Sequence, residues 1–184
     1  MKATMGSKMS IATGSIQDTP LGILLIAASQ RGLVSVEWQR AGQDFSAFLR
    51  RLGGPVHEDE DAVKGYGTQL LEYLRGKRTR FRFSIDWSVL SAFQRRVLVA
   101  TYQIPYGQTR TYQQIAEQLR NPHAARAVGR AQATNPMPLV IPCHRVVGTD
   151  GKLHGYGGGE GIRTKEWLLA MERRGAARAG RPCA

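Results

Sequence analysis

A cysteine and a histidine stand side by side in Ile141-Pro142-Cys143-His144-Arg145-Val146, within a chain of 184 residues that holds only two cysteines and four histidines. A free thiol ionises near pH ~8.5, and a neighbouring imidazole or a local positive charge makes it a better nucleophile. The same chain carries 26 basic against 14 acidic residues, a net charge of +12, which implies an anionic partner, most often nucleic acid. Between Ser91 and Thr149 seven residues are basic and one, Glu117, is acidic. Together these features point to cysteine chemistry on DNA. The alternatives are a buried structural thiol, half of a metal site, and a merely solvated helical surface. Neither a paired cysteine nor a His-x3-His spacing accompanies Cys143, so no metal is expected.

The elements that must position these residues fall into two halves. From residue 9 to about 38 the chain reads as β structure: Gly22 opens the apolar run to Ala28, Gln30-Arg31-Gly32 turns, and Leu33 to Trp38 alternates with period two. Phe45 to Leu52 and Ala62 to Leu74 read as helices, the second stopped by Gly76. Arg80-Phe81-Arg82-Phe83-Ser84-Ile85 alternates again and predicts a further strand, with a domain boundary near Asp86. Beyond it Val89, Leu90, Phe93, Val97 and Leu98 recur at helical spacing. Thr111 and Gln114 fit a capping box, Asn121-Pro122 a cap followed by proline at the first helical position, and residues 122–133 a second helix. Two short helices across a tight turn resemble a helix-turn-helix. Small residues Ala124, Ala125 and Gly129 on its second helix would let backbone approach a groove of DNA, and an ordinary helical hairpin is the alternative.

Bulk properties narrow the setting. A hydrophobic fraction of 42% suits a folded chain, and the longest apolar runs, such as 23–28, are too short to span a membrane. Lys2 and Lys8 are not followed by an apolar core with a cleavage site, so no secretory signal is expected. Two cysteines make no disulfide framework, and Cys183 sits in a Gly/Arg/Pro tail. A reducing, cytoplasmic setting is expected.

Taken with Thr111 to Ala116, residues 121–129, Asn135-Pro136, Tyr156-Gly157-Gly158 and Lys165 to Leu169, the hexapeptide resembles the O6-alkylguanine-DNA alkyltransferase family, the direct-reversal DNA repair proteins. The strong resemblance runs from about Phe93 to Glu172, with a looser one before it. It implies an α/β amino-terminal domain (1–85) like ribonuclease H, a helical domain (86–175) with a winged helix-turn-helix, and a flexible tail (176–184). It implies that Cys143 accepts the alkyl group, that His144 acts as general base through a water, that Glu172 orients His144, and that Asn135 braces the turn. Tyr112 would donate toward guanine N3. Arg126 would fill the gap left by the extruded nucleotide, with Thr111, Tyr112, Ala124, Ala125 and Gly129 also facing DNA. The pocket would be walled by Pro138, Val146, Val147, Tyr156, Gly157, Gly158 and Lys165, with the Val146 amide holding the guanine edge.

The stretch 157–164 is two residues longer than the commonest family pattern, and its glycines predict a mobile loop. No cofactor or metal is implied. The implied partner is duplex DNA carrying O6-alkylguanine, with O4-alkylthymine a candidate second lesion, bound by a monomer associated with the nucleoid. The competing functions are a lesion-binding module without catalysis, a cysteine hydrolase and a transcriptional regulator.

Overall fold

The computed structural model describes residues 9–40 and 44–179; Lys2, Lys8 and Cys183 lie outside them. Strands β1 (Ile11–Ile16), β2 (Leu24–Ser29) and β3 (Gly32–Trp38) form an antiparallel meander, and β4 (Val56–Glu58) adds to β1 in parallel, giving the order β3-β2-β1-β4. Helix α1 (Phe45–Arg51) is capped by Asp44, and helix α2 (Glu60–Leu74) by Asp59, whose carboxylate accepts from the Ala62 amide. The far end of α2 closes as its sequence requires. Gly76, at φ +70°, donates to the Tyr73 carbonyl, and Lys77 donates to that of Glu72. Val63, Leu70, Tyr73 and Leu74 form the buried face of α2, packed on the sheet through Leu24, Ile26 and Val36.

Two expectations change here. The alternation at residues 80–85 does not make a strand: only Ile85 bridges to the sheet, against Leu33. The alternate apolar side chains go to an aromatic cluster instead, with Phe83 4.8 Å from the Tyr66 ring and Phe81 5.3 Å from that of Tyr73. Periodicity of two reports a one-sided apolar surface, and here a face of α2 meets that surface. Strand β4, three exposed residues, carried no apolar pattern to read.

The second half packs α3 (Ala92–Tyr102), α4 (Tyr112–Gln118) and α5 (Ala125–Ala133) around Val97, Ile104, Ile115, Val128 and Val146. The Thr111 capping box forms, with its hydroxyl 3.0 Å from the Gln114 amide and Gln114 returning to the Thr111 amide at 2.8 Å. Helix α3 starts after Val89 and Leu90, and Phe93 points outward. Asn121 precedes a single 3-10 turn, 122–124, without a side-chain cap, so the expected second helix is α5 plus that turn. A two-stranded parallel sheet joins β5 (Arg110–Thr111) to β6 (Val146–Val147). Helix α6 (Ile162–Ala179) carries the Lys165 to Leu169 motif and extends beyond it at both ends. It takes in 162–164 of the expected glycine loop and 176–179 of the expected tail. Gly161 donates to the Gly158 carbonyl and Glu160 to the Thr164 hydroxyl, so the glycines form the turn that starts this helix.

Packing does not pause near Asp86. One core joins Leu24, Val36, Leu70 and Tyr73 to Met137, Leu139, Ile141, Leu168 and Met171. Each large apolar side chain buried this way contributes about 1.5–3 kcal/mol. The free edge of β3 is covered from the second half: Val36 N–H and Ser35 Oγ both donate to the Pro136 carbonyl, at 2.9 and 3.0 Å. Among the described residues no helix is long and apolar enough to cross a membrane.

Gly32 is the tightest point of the β2–β3 turn, at φ +133° with room for a Cβ only 2.4 Å from the Ser84 carbonyl oxygen. That carbonyl accepts from Leu33 and holds residues 84–86 against the sheet edge. Gly32→Ala is expected to destabilise the fold by at least about 2 kcal/mol, from a disfavoured dihedral plus a backbone clash. Urea unfolding measures it, and an unchanged midpoint would mean that this turn rearranges freely.

Candidate active site at Cys143

Cys143, His144 and Arg145 occupy one 3-10 turn, and all three are buried. The turn is held by Asn135, whose amide nitrogen donates to the Ile141 carbonyl at 2.9 Å and to the Cys143 sulfur at 3.2 Å, while its oxygen accepts from Met137 N–H. Burial pushes the Cys143 thiol above its ordinary pKa, and the Asn135 donor and the Lys165 ammonium offset this only in part. At neutral pH the thiol is therefore protonated and needs a base to become a nucleophile.

His144 is fully buried, with Nε2 3.0 Å from Glu172 Oε1. Burial lowers its pKa, and the Glu172 carboxylate restores only part of the loss. It is neutral near pH 7, with Nε2 carrying the proton toward the carboxylate. Nδ1 is buried and has no hydrogen-bond partner among the described residues. An imidazole so arranged presents a lone pair at Nδ1, which is what a general base requires.

Glu172, on α6 and fully buried, accepts from five groups: Tyr73 Oη, His144 Nε2, Arg145 Nε and Nη2, and the Gly107 amide. Burial alone would raise its pKa. Hydrogen bonds from His144 and Arg145, together with the Arg145 charge, outweigh that and hold it at about 2. Arg145 is anchored further by Nη1 donating to the Ile104 carbonyl at 2.6 Å.

Lys165, 1% exposed, donates to the Val146 and His154 carbonyls at 2.6 and 3.3 Å, and its ammonium lies 5.9 Å from the Tyr112 ring. Tyr112 packs beside the backbone of Gly129, 3.8 Å from where a Cβ would sit. Burial keeps the Tyr112 phenol protonated, and thus a donor.

The expected residues divide between two openings. A groove of about 890 Å³ is lined by Tyr112, Ala125, Arg126, Gly129, Tyr156 and Gly157, with Arg126 exposed at its edge. A smaller cleft of about 290 Å³ is lined by Asn135, Pro138, Cys143, Gly157 and Gly158 together with Trp38 and Arg40 of the first half. Gly157 and Ala133 belong to both. Gly158 is packed under the Trp38 ring, 2.4 Å from where a Cβ would lie, and Arg40 donates to the Gly157 carbonyl at 3.2 Å. Val147 is half-buried on β6, and the Thr111 hydroxyl is committed to its cap.

Two assignments do not fit. Ala124 is buried among Ile115 and Val128, so it serves the core and not an outer face. Val146 is fully buried, and its amide donates to the Cys143 carbonyl, so that donor is already engaged. Tyr73 and Arg145 carry no role in the sequence reading. Arg145 had a signal, a permanent cation within the hexapeptide that bears Cys143 and His144, and Tyr73 had one in its place on the Leu70–Leu74 face.

Models of two families match the chain: "6-O-methylguanine DNA methyltransferase, ribonuclease-like domain" over residues 13–87 and "6-O-methylguanine DNA methyltransferase, DNA binding domain" over residues 92–174. The methylated-DNA–protein-cysteine methyltransferase of Mycolicibacterium paratuberculosis is 45% identical over 157 residues, 85% of this chain and 90% of that one. The inducible methylated-DNA–protein-cysteine methyltransferase of Bacillus subtilis is 37% identical over 83% of this chain and 85% of its own. Mycobacterium tuberculosis OGT in complex with DNA superposes with a TM-score of 0.75 at 36% identity, covering 90% of this chain and 94% of that one.

The pKa shifts of Glu172 and His144 set an acid-stability window. Both are depressed in the fold, so the unfolded chain takes up protons first and stability falls as pH falls. The loss begins below 6.5 through His144 and grows below 4.5 through Glu172, continuing to about 2. Glu172→Gln is expected to flatten the lower part of that window. It should also destabilise the protein at neutral pH by about 3–5 kcal/mol, because Arg145 would be left buried without its counter-ion. Denaturant unfolding across a pH series reads both, and a wild-type profile in the variant would mean that Glu172 is not the buried anion of the fold.

Proposed function

Because the chain belongs to the 6-O-methylguanine DNA methyltransferase family, the O6-alkylguanine-DNA alkyltransferases, we infer that it repairs alkylated DNA by direct reversal, moving the alkyl group of O6-alkylguanine to Cys143. The observation that carries the reading is the buried thiol beside an imidazole whose Nε2 is tied to Glu172 and whose Nδ1 is unclaimed. The thiol proton passes to Nδ1 of His144, through a water in the manner the family resemblance implies. The sulfur then attacks the alkyl carbon, forming an S–C bond as the C–O bond to guanine breaks. The electron pair leaves on guanine, which recovers a proton, with the Tyr112 phenol placed to stabilise the departing base. A carboxylate of pKa about 2 stays ionised throughout and steadies the imidazolium.

The lesion must leave the stack to reach a buried sulfur, which costs a few kcal/mol. The groove beside Tyr112 and Gly129 is the proposed approach of the extruded nucleotide to the Cys143 cleft, with which it shares Gly157, and Arg126 at its edge the side chain that takes its place in the duplex. With Ala124 inside the core, the close approach to DNA falls to Ala125 and Gly129. The product thioether is a poor leaving group and no thiolate is regenerated, so each molecule acts once and needs no cofactor. The proposed acting unit is a monomer bound to duplex DNA.

Incubation with an O6-methylguanine oligonucleotide should add about 14 Da, one CH2, to the Cys143 peptide with one equivalent consumed per chain. Cys143→Ser should abolish transfer and retain lesion binding. Repeated turnover, or transfer to another residue, would overturn the reading.

Arg126→Ala should slow repair of the duplex on the order of tenfold or more while barely changing reaction with the free alkylated base, since only the duplex pays for unstacking. Single-turnover rates on the two substrates test it, and equal losses would place Arg126 in the pocket or the fold.

A further inference from the structure

One donor to Glu172 comes from the first half of the chain. Tyr73, on the last turn of α2, is fully buried, with its hydroxyl 2.5 Å from Glu172 Oε1 and 3.3 Å from His144 Nε2. The rings of Phe81 and Tyr106 fix it, at centroid distances of 5.3 and 6.2 Å. Packing alone would be served equally by phenylalanine. A hydroxyl touching both the carboxylate and the imidazole changes how those two groups share a proton.

We propose that Tyr73 is a positioning residue of the alkyl-transfer site, through which the amino-terminal half sets how Glu172 and His144 share a proton. The proposal rests on the alkyl-transfer reading above. A carboxylate favours a charged imidazole in proportion to the negative charge it presents to Nε2–H. Tyr73 and His144 share one oxygen, Oε1, and Arg145 Nη2 lies on it too at 2.7 Å. Each further donor draws charge from that oxygen and weakens its pull on the imidazole proton.

The groups that act on His144 are its chain neighbours Cys143 and Arg145, Tyr73 from α2, and Lys165 and Glu172 from α6. Arg145 and Lys165 oppose a charged imidazole, Glu172 favours it, and Tyr73 is the neutral group that sets how strongly Glu172 does so. Burial first, and then the Glu172 charge, raise the Tyr73 phenol well above its ordinary pKa, so it remains a donor throughout. A phenol donates one proton, and the ionised carboxylate is the partner that can only accept it, which gives the expected sign: without the hydroxyl, His144 becomes more basic.

The test is the pH profile of the Cys143 alkylation rate on duplex O6-methylguanine DNA. Tyr73→Phe is expected to move the acid limb up by about half a pH unit or more. A ring-fluorinated tyrosine at position 73, a stronger donor of nearly the same shape, is expected to move it down. Lesion binding by the same variants in a Cys143→Ser background should be unchanged. Limbs that stay put, or that move the same way in both, would overturn the proposal, the latter because packing alone would do so. Should the phenylalanine variant fail to fold, the fluorinated residue still carries the test. No transfer even by the unmodified chain would overturn the alkyl-transfer reading and this proposal together, whereas transfer with unmoved limbs overturns this proposal alone.

Discussion

Removing a carboxylate from water is tolerable only if donors replace the water, and Glu172 has no exposure at all. That requirement organises the middle of the molecule. It needs α6 to run far enough to carry residue 172 inward, and the turn at Gly107 to aim an amide at it. It also needs Arg145 to lie flat against it from the turn that bears Cys143, and α2 to end with Tyr73 overhead. These groups come from both halves of the sequence, so the halves cannot separate without stranding an anion. The continuous apolar core around Met137, Leu139 and Leu168 is the packing counterpart of the same constraint.

The chemistry inherits its settings from that carboxylate. Burial keeps the imidazole neutral, although the Glu172 carboxylate, which Arg145 also holds, favours its charged form. The neutral ring directs Nε2–H at Glu172 and leaves Nδ1 unclaimed, on the residue next to a thiol that burial keeps protonated. Sulfur and imidazole are thus both held uncharged, which suits the single-use transfer proposed for them. The features proposed to face DNA lie apart from this ion pair, on α4 and α5 and along the groove edged by Arg126.

Local chemistry was legible in the sequence, and distant partnership was not. The Thr111–Gln114 capping box and the Gly76 stop each complete themselves within a few residues, so the pattern and the structure coincide. The meander of β1 to β3 was readable from its turns and alternation. Phe81, Phe83 and Ile85 mislead because alternation says that one side is apolar without saying what covers it. Cys143 and His144 stand out because both residue types are rare here and adjacent. Glu172 was singled out only by family resemblance, since in sequence it is one more acid on a charged helix. Tyr73 stands 99 residues from Glu172, and the Arg145 pair spans 27. Neither contact can be read from spacing, although a cation beside the Cys143-His144 pair and a phenol on a buried helix face were the signs available.

The arrangement as a whole depends on one assignment: that His144 is neutral with its proton on Nε2. Nitrogen-15 spectra of the imidazole side chains, with His144 identified by substitution, distinguish the protonation states directly. Near neutral pH the account predicts a protonated Nε2 and an unprotonated Nδ1 for His144, persisting below the pH at which exposed histidines titrate. A proton on Nδ1, or an imidazolium at neutral pH, would contradict it.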